Sequence, residues 1–208
     1  MIPPEIALVF IGAAIALAAV PGPDNIFVLT QSAVHGRRAG LVVTLGLASG
    51  LFFHTTAVAL GVAAIFQTSQ YAFTALKYAG AAYLVYLAWK AFRASASRFD
   101  QSQAISETAP QQFRRGLIMN IANPKVTVFF LAFLPQFVDP LNGSIIAQFY
   151  QLGALMFVAT IVVFGVVALA AGWLGDWLKD SPSAQVWLNR ISGMVFLTLA
   201  LKLATSER

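Results

Sequence analysis

Two long stretches without a charged side chain constrain this chain more than any other feature. They run from residue 39 to 76 and from residue 140 to 175. A helix needs about 20 residues to cross a hydrocarbon layer of about 30 Å, so each stretch is long enough to do so. In the whole chain, 59% of the residues are hydrophobic and 10% are charged, a balance outside that of soluble domains. The sequence therefore predicts an integral membrane protein.

The apolar segments divide the chain into six predicted transmembrane spans. We expect α-helices, because backbone polar groups in lipid must be satisfied within the segment and the sequence lacks the alternating pattern of membrane β-strands. We predict an all-α fold with one membrane domain over 1–208, in which a first repeat, 1–92, is joined by a polar linker, 93–113, to a second repeat, 114–208. The six predicted spans are residues 6–34, 41–66, 71–89, 116–138, 145–174 and 186–203.

Basic residues fall on one side of the predicted membrane. The connections after the first, third and fifth spans contain or border nine of them, whereas the loops at 67–70 and 138–144 contain none. Because cytoplasmic loops are enriched in Lys and Arg, we predict that the linker is cytoplasmic and that both termini lie outside. The net charge of +5 is then explained by the basic cytoplasmic loops and requires no nucleic-acid partner. The nine residues are Arg37, Arg38, Lys90, Arg93, Arg98, Arg114, Arg115, Lys179 and Arg190.

The first and fourth predicted spans are each interrupted by proline, and a charge follows each interruption. Proline removes a backbone donor and clashes with the preceding turn, which frees carbonyl groups at membrane depth. At about 1.5 Å per residue from the flanking Arg37 and Arg115, the two charges lie about 20 Å and 15 Å into the membrane, near its middle. The residues of the two breaks are Pro21, Gly22, Pro23, Asp24 and Asn25 in span one, and Asn120, Asn123, Pro124 and Lys125 in span four.

The order of the spans predicts an inverted repeat. Three spans that begin outside are followed by three that begin in the cytoplasm, and the first span of each half carries a break. Secondary transporters commonly use such repeats, with substrate sites where helices of the two halves are interrupted. We therefore predict that the two breaks face each other and bind a small polar solute.

Three motifs resemble the LysE/RhtB family of amino-acid exporters. They are PGPDNIFVLTQSAVHGRRAGLVVTLGLASG at 21–50, LKYAGAAYLVYLAWKAFRA at 76–94 and LIMNIANPKVTVFFLAFLPQFV at 117–138. The resemblance continues to LNRISGMVFLTLALKLA at 188–204, so it covers nearly the whole chain. It implies proton-driven export of amino acids or related small metabolites across the bacterial inner membrane.

With an amino acid as substrate, Asp24 and Lys125 have two candidate roles. An acid and a lysine at similar depth complement the ammonium and carboxylate groups of the zwitterion, with Asn25, Asn120 and Asn123 as neutral partners. Alternatively, the two charges pair only with each other and hold the halves together. The sequence leaves both roles open.

Span two has a small-residue face that includes a histidine. Gly46, Gly50 and His54 are spaced four residues apart and so lie on one face of a helix. The glycines predict close approach of another helix, within the chain or in a homodimer. We favour His54 as a hydrogen-bonded side chain at that contact; the alternative is that His54 and Asp24 take part in proton coupling.

Two other function classes have less support in the sequence. An intramembrane enzyme needs a nucleophile with a base, or a metal cluster, and the chain has two histidines and no cysteine. A metal-cation exporter of related architecture is the main alternative, but Asp24 is the single acid deep in a predicted span, and Lys125 repels cations. We therefore expect no enzyme activity, no cofactor and no bound metal. The expected partners are the lipid bilayer, an amino acid and the proton.

Overall fold

Most of the residues that the computed structural model describes are helical; the described residues are 1–68, 70–95, 107–171 and 181–205. Within those ranges no strand is present, in agreement with the predicted all-α fold. The segment after α6 continues as a π-helical turn, Phe129–Phe133, and a 3₁₀ turn, Leu134–Phe137. The helices are α1 Pro4–Ala19, α2 Pro23–His35, α3 Arg37–Thr68, α4 Gln70–Arg93, α5 Ala109–Ala122, α6 Pro124–Val128, α7 Ile145–Leu169 and α8 Pro182–Thr205.

Both predicted interruptions are confirmed. The chain bends by 62° between α1 and α2 and by 50° between α5 and the segment that begins with α6. In each case a proline, Pro23 or Pro124, is the first residue of the second helix. Its missing N–H costs nothing there, because the first N–H groups of a helix have no partner within the helix.

Membrane-spanning length is confirmed for part of the predicted set. Within the described residues, three single helical segments are long and apolar enough to cross a bilayer: Arg37–Gly61, Ile145–Leu169 and Ser183–Thr205. Counting each bent pair as one span raises the number to five. The predicted third span is helical as α4, but Lys77 and its tyrosines make it less apolar than the others. Six spans and the inverted repeat stay predictions.

The polar linker is partly helical. α4 ends at Arg93, and α5 begins at Ala109, so part of the predicted linker 93–113 is helical. A capping box starts α5: the Thr108 side chain and the Gln111 side chain each bond the other's backbone N–H. Residues 96–106, with Arg98, and residues 172–180, with Lys179, lie outside the described ranges.

The glycine face of α3 packs within the chain. α3 lies along α5 and α7, α1 lies against α7, and α4 lies along α8. A Cβ atom added at Gly46 would contact the backbone of Phe113, and one added at Gly50 would lie 2.6 Å from Asn120 Oδ1. Small residues are therefore required for the observed approach of α3 to α5. Homodimer formation stays a prediction, and it cannot use this face.

Two apolar clusters contain the residues on either side of the first break. The larger cluster contains Phe10, Leu17 and Val20 of the first span together with the buried phenylalanines that follow α6. The smaller cluster contains Val28 of α2 with residues of α3 and α7, including Phe164. Asp24 lies in the chain between Val20 and Val28, so the charged residue of the first break lies between the two clusters along the sequence.

Candidate substrate site at the facing helix breaks

The two charged residues occupy the same position in their helices. Asp24 and Lys125 each follow the proline that starts a helix, so each is the second helical residue. A helix N-terminus is electropositive and stabilises an acid there, whereas it disfavours a lysine. Lys125 is therefore placed against its own helix dipole, and its stabilisation must come from elsewhere.

Asp24 contacts the opposite half of the chain through Asn123. The Asn123 Nδ2 atom donates a hydrogen bond of 2.7 Å to Asp24 Oδ2. The Oδ1 atom of the same amide accepts the backbone N–H of Lys125 at 3.0 Å and so caps α6. Asp24 is only 3% exposed. Asn123 thus holds a buried carboxylate and the second helix break in one network.

Lys125 reaches across to the end of α1. Its Nζ atom donates to Leu17 O at 3.3 Å and to Val20 O at 3.2 Å. Leu17 lies four residues before Pro21, which has no N–H to offer to the Leu17 carbonyl. The last carbonyls of a helix carry the negative end of its dipole. The carbonyl end of α1 therefore supplies the stabilisation that Lys125 lacks in its own helix.

Asp24 and Lys125 do not form a direct ion pair. Among the described residues, the recorded salt bridge joins Arg115 and Glu107 at 2.9 Å. Each charge instead has partners from the opposite half: Asn123 for Asp24, and the α1 carbonyls for Lys125. Both roles of the two charges, substrate binding and pairing with each other, stay predictions.

The proline of the second break also frees a carbonyl, and His54 binds it. Asn120 lies four residues before Pro124, and its carbonyl accepts His54 Nε2 at 3.1 Å and the backbone N–H of Asn123 at 3.0 Å. A carbonyl only accepts, so Nε2 carries the proton. His54 also packs against the ring of Phe130. The hydrogen-bonded helix contact that we favoured for His54 is present; its part in proton coupling stays a prediction.

Two side-chain amides at the breaks have an unsatisfied oxygen. Asn25 donates through Nδ2 to Ala18 O at 2.8 Å, but its Oδ1 atom is buried without a hydrogen-bond partner. The Oδ1 atom of Asn120 is also buried and without a partner. A buried acceptor left unsatisfied costs about 1–3 kcal/mol, so such atoms are expected to bind something in another state. Both oxygens suit an ammonium group.

Comparison with known proteins identifies the family. Residues 15–207 match the family of LysE type translocators. The chain belongs to this family. A homoserine/homoserine lactone efflux protein of Salmonella typhimurium is 33% identical over 92% of each chain. A leucine efflux protein of Klebsiella pneumoniae is 28% identical over 96% of this chain and 95% of its own. No solved structure matches the chain.

Membership in the LysE type translocators and the apolar helices make this a multi-pass membrane protein. Relatives with a stated activity are named as efflux proteins, which suggests that this translocator is not an enzyme. These names give the metal-cation alternative no support. Among the described residues, no group of three or more His, Cys, Asp or Glu side chains is placed to hold a metal ion.

The structure of this translocator joins Asp24 to Asn123 and Lys125 to the end of α1, and it adds three backbone carbonyls. Leu17 O, Ala18 O and Val20 O, at the end of α1, accept side-chain donors from Lys125 and Asn25. The sequence contained the signal for one of them, because the carbonyl four residues before an interior proline loses its helical partner. In the same way, the carbonyl of Asn120, four residues before Pro124, loses its helical partner. Substrate binding by these groups stays a prediction.

Proposed function

We propose that this chain is a secondary active exporter of amino acids or closely related small metabolites at the bacterial inner membrane, coupled to the proton gradient. The observation that carries the proposal is the contact between the two helix breaks, where two opposite charges are buried and each is hydrogen-bonded to the opposite half of the chain. The efflux relatives named for homoserine and leucine support an amino acid as the substrate. Both are zwitterions with an ammonium and a carboxylate group.

The two breaks offer complementary groups for a zwitterion. The first break supplies acceptors, which are the Asp24 carboxylate, the Asn25 amide oxygen and the carbonyls of α1. The second break supplies donors, which are Lys125 and the Asn123 amide. An ammonium group therefore fits the first break and a carboxylate the second. Interrupted helices near the bilayer midplane bind charged groups of substrates in this way.

The packing pattern supports two inverted repeats of three spans. In the proposed repeat, α1 corresponds to α5, α3 to α7 and α4 to α8. The contact of α1 with α7 in one half then corresponds to the contact of α5 with α3, and both contacts are present. The contacts of α3 with α7 and of α4 with α8 are unchanged when the two halves are exchanged. Under this proposal α4 is the third span, and transport alternates access to the breaks from the two sides.

Proton coupling is assigned to Asp24. It is a buried acid whose partner, Asn123, belongs to the opposite half, so a change in its protonation acts on the contact between the breaks. His54 is the second candidate because it also joins the halves by a hydrogen bond. Proton uptake at such a position links the gradient to the relative movement of the halves.

Proteoliposomes test the function directly. The purified protein is reconstituted, and the vesicles are loaded with labelled homoserine, leucine or a divalent cation. We expect release of an amino acid that accelerates when a pH gradient is imposed and slows when an ionophore collapses it. Release of the cation instead, or amino-acid release identical to that of protein-free vesicles, contradicts the proposal.

The proposed topology has its own test. The chain has no cysteine, so single cysteines are clean probes. Leu141, 92% exposed in the loop before α7, is predicted outside, and Ser95, exposed after the end of α4, is predicted in the cytoplasm. An impermeant thiol reagent should label Leu141→Cys in intact cells and label Ser95→Cys only after lysis. The reverse pattern overturns the orientation.

A further inference from the structure

The ammonium group of Lys125 is bound by the end of α1 in the same way as a ligand. Its Nζ atom lies 3.3 Å from Leu17 O and 3.2 Å from Val20 O, and it has no direct ion pair. Lys125 is 9% exposed, so these carbonyls, and not water, provide most of its polar contacts. A primary ammonium on a flexible chain thus fills a cluster of acceptors that belongs to the opposite half.

The space at Gly22 is bordered by an acceptor that Lys125 does not bind. A Cβ atom built on Gly22 would lie 3.5 Å from Lys125 Nζ and 4.0 Å from both Val20 O and Asn25 Oδ1. The absence of a side chain at Gly22 therefore leaves space that is bordered by the cation, a carbonyl and an amide oxygen. The Asn25 oxygen is buried and has no hydrogen-bond partner. An unsatisfied acceptor that borders the same space as a bound ammonium group indicates a site that can accept more N–H donors than it now holds.

We propose that Lys125 occupies the binding site of the substrate's α-ammonium group, which consists of Leu17 O, Val20 O and Asn25 Oδ1. This inference rests on the proposed function, since it takes an amino acid as the substrate. The α-ammonium group of an amino acid and the lysine ammonium group have the same charge and the same three N–H donors. They compete for the same carbonyls, so binding of substrate displaces Lys125.

Displacement gives Lys125 its second role. Once the substrate ammonium group holds the α1 carbonyls, the lysine is released close to the substrate carboxylate and pairs with it. When the substrate leaves, Lys125 returns to the carbonyls, which are not left unsatisfied in the low-dielectric interior. In the absence of substrate, the lysine thus keeps the two breaks in contact.

A cavity of defined shape allows a direct test. Lys125→Ala deletes the last three methylene groups and the ammonium group, which together correspond to n-propylammonium. We expect n-propylammonium to raise the thermal unfolding temperature of purified Lys125→Ala in a saturable manner. Tetramethylammonium has the charge without an N–H donor, and it should bind at least about tenfold more weakly, since hydrogen bonds to charged groups contribute about 1.5–3 kcal/mol. Lys77→Ala is the matched control, because Lys77 is also a buried lysine.

A second measurement uses the wild-type chain and does not depend on the folding of a variant. n-Propylammonium should inhibit amino-acid binding competitively, and tetramethylammonium should not. Equal effects of the two cations, an equal response of Lys77→Ala, or amino-acid binding indifferent to n-propylammonium each overturn the inference. If wild-type protein binds no amino acid while Lys125→Ala selectively binds n-propylammonium, the ammonium site stands and the proposed export function fails. If amino acids are exported but neither amine effect is seen, only the inference fails.

Discussion

The two helix breaks have the same local design and opposite chemistry. Each places a proline first in the second helix and a charged residue directly after it, and the bends are 62° and 50°. In the first break, Asp24 is at a helix N-terminus that favours its charge. In the second, Lys125 is at a helix N-terminus that disfavours it, and it binds the carbonyls that end α1.

The difference shows that neither break is complete alone. The first break presents carbonyls and a carboxylate. Carbonyls accept hydrogen bonds and do not donate them, and the same holds for the carboxylate in its charged form. The second presents an ammonium and an amide that donate to them. Each half therefore satisfies groups that the other half's prolines expose, and movement of one half against the other must exchange these bonds. Under the proposed function, an amino acid, with one donor and one acceptor group, takes the place of either side.

Removal of either charge is expected to have the largest effect. Asp24→Asn and Lys125→Gln should each reduce export to background, because each removes a charge that binds one end of the zwitterion in the proposed site. The exchanged variant, Asp24→Lys with Lys125→Asp, should stay inactive, because it places a cation next to the donor groups and an acid next to carbonyls. Export is measured in proteoliposomes at equal protein content. Recovery of near-normal export by the exchanged variant would contradict a role of the two charges in substrate binding, since the charges would then serve only each other.

A smaller effect is expected from crowding the second break. Gly50→Ala places a Cβ atom 2.6 Å from the unpaired oxygen of Asn120, so the amide must move or α3 must shift. Overpacking of this kind costs about 1–3 kcal/mol, and we expect weaker substrate binding with the fold retained. Gly61→Ala is the matched control, because a Cβ atom there meets no heavy atom within 4 Å. Equal affinities for the two variants would exclude Asn120 from the site.

The smallest effect concerns His54 and its carbonyl. His54→Leu should lower the unfolding free energy by about 0.5–1.5 kcal/mol, because the Asn120 carbonyl loses a side-chain donor and keeps only the Asn123 N–H. Pro124→Ala restores the backbone N–H that an α-helix directs at this carbonyl, so His54→Leu should cost less in that background.

Equilibrium unfolding of the wild type, His54→Leu, Pro124→Ala and the double variant measures the coupling energy between the two positions. His54→Gln, which keeps an N–H donor, should retain most of the stability and export. Strictly additive losses would show that His54 does not act through the freed carbonyl. Loss of proton-coupled export in His54→Gln, with binding intact, would instead assign coupling to His54.

The sequence predicts the breaks well and their contacts poorly. Pro21, Pro23 and Pro124 interrupt a helix through local sterics, so the positions of both bends follow from the residues themselves. The partners of Lys125 lie more than one hundred residues earlier in the chain and are backbone atoms, so no pattern of side chains marks them. The site also depends on how α1 approaches α6, which the packing of the whole bundle decides. The first turns of α5, from Ala109, carry polar residues, so the sequence alone does not mark where this helix begins.

Binding of an amino acid and of its methyl ester tests the central claim most directly, because the ester keeps the ammonium group and lacks the carboxylate. Homoserine or leucine, whichever the wild-type protein exports, is compared with its ester by competition on purified wild-type, Asp24→Asn and Lys125→Gln proteins. We predict that the wild type prefers the amino acid, that Asp24→Asn binds both compounds more weakly, and that Lys125→Gln binds the two with about equal affinity. A preference for the free carboxylate that survives unchanged in Lys125→Gln would contradict the assignment of the facing breaks as the substrate site.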